Sequence, residues 1–171
     1  MDDGQLKDEV VRLRTLQARE RLARADYVRG VHQLSLELSE RQVSVALTAP
    51  REAIQAALEE AAQLPPVPDG FHGGDPTEII NRFATGQITR EQVIDELVRW
   101  TYEPSDQLDG PLDDILVSVP GSFDDVVRAV YRGLLPGDVY DEILHRAQAQ
   151  ETPDRSPLPG DGVTKGPEEH L

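Results

Sequence analysis

The chain has 171 residues, of which 38% are hydrophobic and 5% aromatic, too thin for one large core and suited to small helical units of Ala, Leu and Val. It contains no cysteine, which excludes disulfides, thiolate catalysis and Cys-based zinc sites; no apolar run approaches the ~18–20 residues needed to cross a bilayer, and the acidic start "MDDGQLKDEVV" is unlike a signal peptide, so a cytoplasmic protein is expected. The formal net charge of −15 is uneven: residues 1–64 hold 9 Lys+Arg against 11 Asp+Glu, whereas residues 65–171 hold 8 against 21.

Residues 5–37 have no proline and one glycine, Gly30. Leu6, Val10, Leu13 and Leu16, then Val28, Val31 and Leu34, recur at helical spacing, predicting one long helix or two broken near Gly30. Between residues 12 and 29, Arg12, Arg14, Arg19, Arg21, Arg24 and Arg29 are set against only Glu20 and Asp26. Phosphate attraction acts through such a local patch over about 8–10 Å, so the global charge does not exclude DNA, and Arg21 and Arg24 are candidate phosphate contacts. A solvated charged face and a dimerising arm are equally open for this helix.

The next stretch, "LSERQVSVALTAPREAIQAAL" (residues 38–58), predicts two short helices at a fixed angle. Ser39 is an N-cap with Gln42 at N3, and Val43 and Leu47 supply the inner face of the first helix. Thr48 caps the second helix, Pro50 lies in its first turn, and Ile54 and Leu58 form its inner face. Ser44 is small where the pair must approach closely. Over these 21 residues the sequence resembles, without a gap, the helix-turn-helix of bacterial transcription regulators, resolvases and sigma factors. Thr48 stands where that pattern has glycine, and Pro50 where it has a small polar residue. The resemblance implies a DNA-binding regulator reading double-stranded DNA through the start of the second helix, at Pro50, Arg51, Glu52 and Gln55, with Arg41 on a phosphate. Arg51 could bridge a guanine and Gln55 an adenine, and specific binding would call for a homodimer.

Three prolines in four residues, then Asp69-Gly70-Phe71-His72-Gly73-Gly74, make residues 65–75 the expected linker. His72 has no companion His or Cys nearby, and no metal role is expected for it. Beyond it the chain repeats at an offset of 47 residues: "EIINRFATGQITREQVIDEL" (78–97) aligns on "DVVRAVYRGLLPGDVYDEIL" (125–144), matching Gly86 with Gly133, Ile79 with Val126 and Ile88 with Leu135. Each copy reads as helix, glycine stop, short apolar turn, helix, with Asp75, Thr89 and Ser122 as candidate caps. Ile115 to Val119, between the copies, could be extended. Residues 151–171, rich in Pro and Gly, are expected to be disordered.

The segment "GDPTEIINRFATGQITREQVIDELVRWTYEP" resembles small uncharacterised actinobacterial proteins and, more loosely, the helical antitoxins that block Fic-type toxins. Acidic surfaces bind basic partners and repel nucleic acid, so residues 76–150 read as a module for a protein partner, with Trp100, Tyr102, Tyr131 and Tyr140 as anchors of a core or an interface. No phosphate-cradling loop, His-rich metal pattern or nucleophile with a base is found, and neither an enzyme nor a cofactor is expected. Asp106, Asp109, Asp113 and Asp114 do not follow a calcium-loop pattern and read as an acidic loop. The expectation is an all-α regulator with a helix-turn-helix unit in residues 1–64 and an acidic helical-hairpin repeat unit in residues 76–150. The competing expectation is an adaptor or antitoxin-like protein that does not bind DNA and grips a basic partner.

Overall fold

The computed structural model describes residues 2–104 and 120–151. Every regular element among them is helical: α1 (Asp3–Ser35), α2 (Glu40–Leu47), α3 (Arg51–Ala61), α4 (Pro76–Ala84), α5 (Arg90–Arg99), α6 (Asp124–Tyr131) and α7 (Gly137–Glu151). The chain is all-α, as the periodicity predicts. The acidic loop, the Ile115–Val119 run (115–119) and residues 152–171 of the tail lie outside the described residues.

α1 starts at a reciprocal capping box, Asp2 with Gln5, and passes through Gly30 without a break. Nothing lies within 4 Å of where a Gly30 Cβ would stand. At about 50 Å, α1 is long enough to serve both halves of the chain. Its C-terminal half packs on α2 and α3, burying Val28 and Val31 against Val43, Ile54 and Ala57. The helix also lies along α4, where Ala18 and Leu22 are buried.

The second core belongs to α4–α7. α4 contacts α5 and α6, and α7 contacts the same two, so the four helices form a ring around Ile79, Ile94, Leu97, Val126, Leu135 and Ile143. The 47-residue repeat is physical. Gly86 and Gly133 both end their helices in the left-handed region, at φ 77° and 71°. Glu78 Oε2 accepts from the Gly74 amide (3.0 Å) and Asp125 Oδ2 from the Gly121 amide (2.8 Å), the same clamp one repeat apart. Asp75 caps α4 and Thr89 caps α5. Ser122 does not cap α6, which begins after Phe123. The copies also diverge inside: the place of buried Ile143 is taken by Glu96, whose carboxylate is buried and accepts from the His72 amide (2.9 Å) and meets His72 Nδ1 at 2.5 Å.

The Pro/Gly segment is therefore a packed loop. Besides the His72 contacts, a Cβ at Gly74 would stand 2.5 Å from the Pro65 carbonyl oxygen. Across this loop Arg29 of α1 donates twice to Glu78 (2.6 and 2.8 Å), and Arg82 bridges Glu78 to Asp26 (2.7 and 2.6 Å). The Arg82, Glu78 and Arg29 side chains are mostly buried. α1 and α4 are thus joined by a two-arginine clamp on one carboxylate.

Candidate nucleic-acid interface

The geometry of residues 38–61 rests on one residue. Thr48, at φ 52° and ψ 40°, is the one residue other than glycine with positive φ among the described residues. It closes α2 in the left-handed conformation that glycine ordinarily supplies. The sequence places Thr48 as the cap of the second helix; it caps the end of the first, and Pro50 occupies the N-cap of α3, its carbonyl accepting from Ala53 and Ile54. The Ser44 hydroxyl ties the turn by donating to the Ala49 carbonyl (2.6 Å). Ser39 and Gln42 form the expected capping box.

The clamp holding the pair also differs in part. Val43 and Ile54 are fully buried and Leu58 packs beside them, but Leu47 is exposed and Ala57 takes part of its work. The result is a three-helix unit in which the first two turns of α3 present Arg51, Glu52, Gln55 and Ala56 to solvent. Arg41 is exposed in the first turn of α2, and Pro50 is exposed at the mouth of the turn. A protruding helix start with outward polar side chains is the geometry that enters a major groove.

One carboxylate intrudes. Glu40 accepts from Gln55 Nε2 (3.3 Å) and lies 3.9 Å from Arg51 Nη2. Nothing in the linear spacing of 11 and 15 residues announces it; the pairing appears only when α2 folds across the start of α3. Both partners of the Arg51 pair are well exposed, so breaking it costs under about 1 kcal/mol.

The arginines of α1 do not gather at this surface. Arg24 ion-pairs with Glu60 at 2.5 Å and stacks over Tyr27, and its hydrogen bond holds the Glu60 carboxyl below its ordinary value. Glu60 lies nine residues beyond Arg51, about 13 Å along α3, so Arg24 and neighbouring Arg21 stand at the far end from Arg51 and Gln55. Arg12 pairs with Glu9 (2.6 Å), and Arg29 is held by Glu78.

The four aromatic positions separate cleanly. Trp100 meets Phe71 edge-on at 5.2 Å, Tyr102 meets Phe123 at 5.2 Å, and Tyr140 lies on the same Phe123 at 6.1 Å. The Tyr102 hydroxyl donates to the Leu97 carbonyl (2.7 Å), and burial pushes its pKa up. Tyr131 instead is 84% exposed at the end of α6. No helix of the described residues is long and apolar enough to cross a membrane.

Comparison with protein-family models, curated proteins and solved structures finds no match.

Proposed function

We propose that this protein is a DNA-binding regulator that docks the start of α3 in the major groove of duplex DNA and uses its acidic half to hold a basic protein partner. The observation that carries the reading is the exposed N-terminal face of α3, held at a fixed angle by the left-handed Thr48 turn and the buried Val43–Ile54 contact. Arg51 supplies a bidentate fork for guanine O6 and N7, and Gln55 a donor and acceptor for adenine. Glu52 on the same face limits non-specific attraction to phosphate, leaving base contacts to carry the binding.

One arginine per copy calls for two half-sites. Support for a homodimer comes from α1, where Leu6, Leu13, Tyr27 and Leu34 share one heptad position, interrupted by Glu20, and are all exposed. Ala23 and Gly30, four residues before Tyr27 and Leu34 respectively, are small enough for close approach of a second helix. Tyr131, 84% exposed at the end of α6, is the aromatic anchor available to a basic protein partner.

The test is selection of duplexes from a random pool by the full chain at low salt, followed by anisotropy titrations. Arg51→Ala is expected to weaken the selected site about tenfold and relax preference at one base pair, as a lost bidentate contact of ~1–3 kcal/mol requires. Glu40→Gln is expected to tighten it, because Arg51 and Gln55 are released from a competing carboxylate. No enrichment of any sequence, or an Arg51→Ala chain that binds unchanged, refutes the reading.

A further inference from the structure

Four arginines converge elsewhere, on a cavity of about 310 Å³ between α1, α4 and α6. Arg14 and Arg21 reach it from α1, Arg128 from α6, and Arg132 from the residue that ends α6. Among the described residues, Arg21 and Arg132 have no ion pair, and Arg14 spends one nitrogen on the Arg132 carbonyl (2.9 Å). The one lining carboxylate, Asp125, is already bound to Arg128 (3.2 Å) and to the Gly121 amide (2.8 Å). Three guanidinium groups are left uncompensated around one cavity in a chain of net charge −15. Like charges held together repel unless an anion joins them.

A second, independent observation points into the same space. Asn81 is buried and lines the cavity, yet its side-chain amide makes no hydrogen bond within the protein. The amide is open to the cavity, since the one buried side-chain atom left without a partner among the described residues is Arg82 Nε, and an open amide that the protein does not use is free to meet a ligand group. Ala18, Ile80, Ala129 and Leu134 complete the lining with an apolar strip. The volume falls in the range of small-molecule sites, about 300–1,000 Å³, and is far too confined for a duplex.

We infer that this cavity binds a mononucleotide: the phosphate lies in the forks of Arg14, Arg21 and Arg132, the base rests on the Ile80 and Ala129 strip, and the Asn81 amide meets the edge of the base. Guanidinium forks match phosphate oxygens two at a time, and an amide offers both a donor and an acceptor, which is what a heterocycle edge presents. This site is separate from Arg51 and Gln55, and its occupancy does not depend on the DNA reading.

Isothermal titration of the full chain with AMP, GMP, CMP and UMP in turn tests it, with adenosine and inorganic phosphate as fragments. Saturable binding of at least one nucleotide is expected, weakened at least tenfold by Arg21→Ala and at least fivefold by Asn81→Ala, and unchanged by Arg19→Ala, which lies off the cavity. Circular dichroism establishes that each variant is folded, and Arg21, being exposed, can be truncated without opening a core. Each fragment should bind more weakly than the nucleotide that contains it. The assignment is overturned if none of the four nucleotides saturates at millimolar concentration, if Arg21→Ala binds as the parent does, or if inorganic phosphate alone binds as tightly as any nucleotide.

Discussion

Thr48 holds a left-handed conformation that its branched Cβ disfavours, at a cost of roughly 1 kcal/mol or more. Thr48→Gly is therefore expected to raise unfolding stability by about 1 kcal/mol, seen as a higher urea midpoint at unchanged slope; a lower midpoint would show that the threonine side chain does something the turn geometry does not require. Glu78 is the opposite case, a residue whose chemistry the fold depends on. Burial raises its pKa, but the Arg29 hydrogen bond, the Gly74 amide and Arg82 outweigh burial and hold the carboxyl below its ordinary value. A depressed folded-state pKa means that the stabilisation is complete above the unfolded value, about 4.5, and is lost as the pH falls through the lower folded one. Glu78→Gln should cost about 3 kcal/mol at pH 7, because two mostly buried arginines lose their counter-charge, and the difference from the parent should shrink below pH 4.5. Asp75 works the other way, its pKa raised chiefly by burial, so parent and variant must be compared across pH by thermal melts; a gap that does not narrow in acid would mean that shape and not charge holds the clamp.

Local rules account for the elements themselves. The capping boxes of α2 and α5 and the glycine stops of α4 and α6 depend on residues within four positions of one another, and each is legible in the sequence. What could not be read is anything fixed by distant partners. Glu40 falls against Arg51 and Gln55 only through the α2–α3 turn, Glu78 finds Arg29 across 49 residues, and Gly73 and Gly74, legible only as permissive, are required because backbone packs where a Cβ would stand. Leu47 meets the helical period yet is exposed, because α2 ends there and the turn carries the chain away. Glycine substitutions separate the two kinds of information. Gly30 sits in open space within α1, so Gly30→Ala should stabilise by roughly 0.5–1 kcal/mol. Gly133→Ala should destabilise, since φ is +71° and the new methyl would stand 2.8 Å from Val11 Cγ2. Opposite shifts in the denaturant midpoint are the expected result; the same sign for both would contradict the packing of α1 against the end of α6.

At the scale of the whole molecule, composition suggests two units and a linker, whereas α1 runs through both halves. Its C-terminal half closes the core under α2 and α3, its middle packs on α4, and its Val11 meets Gly133 beyond α6. The loop that composition marks as a linker is tied down by Glu96 and Glu78. Unfolding α4–α7 would expose Ala18 and Leu22 of α1 and strand Arg29, so neither half can open without disturbing the other. One cooperative transition is therefore expected for the full chain, with calorimetric and van't Hoff enthalpies equal. Glu78→Gln removes the shared carboxylate and should act on both halves together, lowering a single midpoint by roughly 6–12 °C for about 3 kcal/mol in a chain of this size. Trp100 packs against the α4–α7 core, so its near-ultraviolet signal reports that core, whereas the far-ultraviolet helical signal reports both halves. If the tryptophan signal and the helical signal melted at different temperatures, the two cores would be independent and α1 merely adjacent to the second. Coincident melting in the parent and in Glu78→Gln alike makes α1 the common element through which an event in the arginine cavity could reach α3.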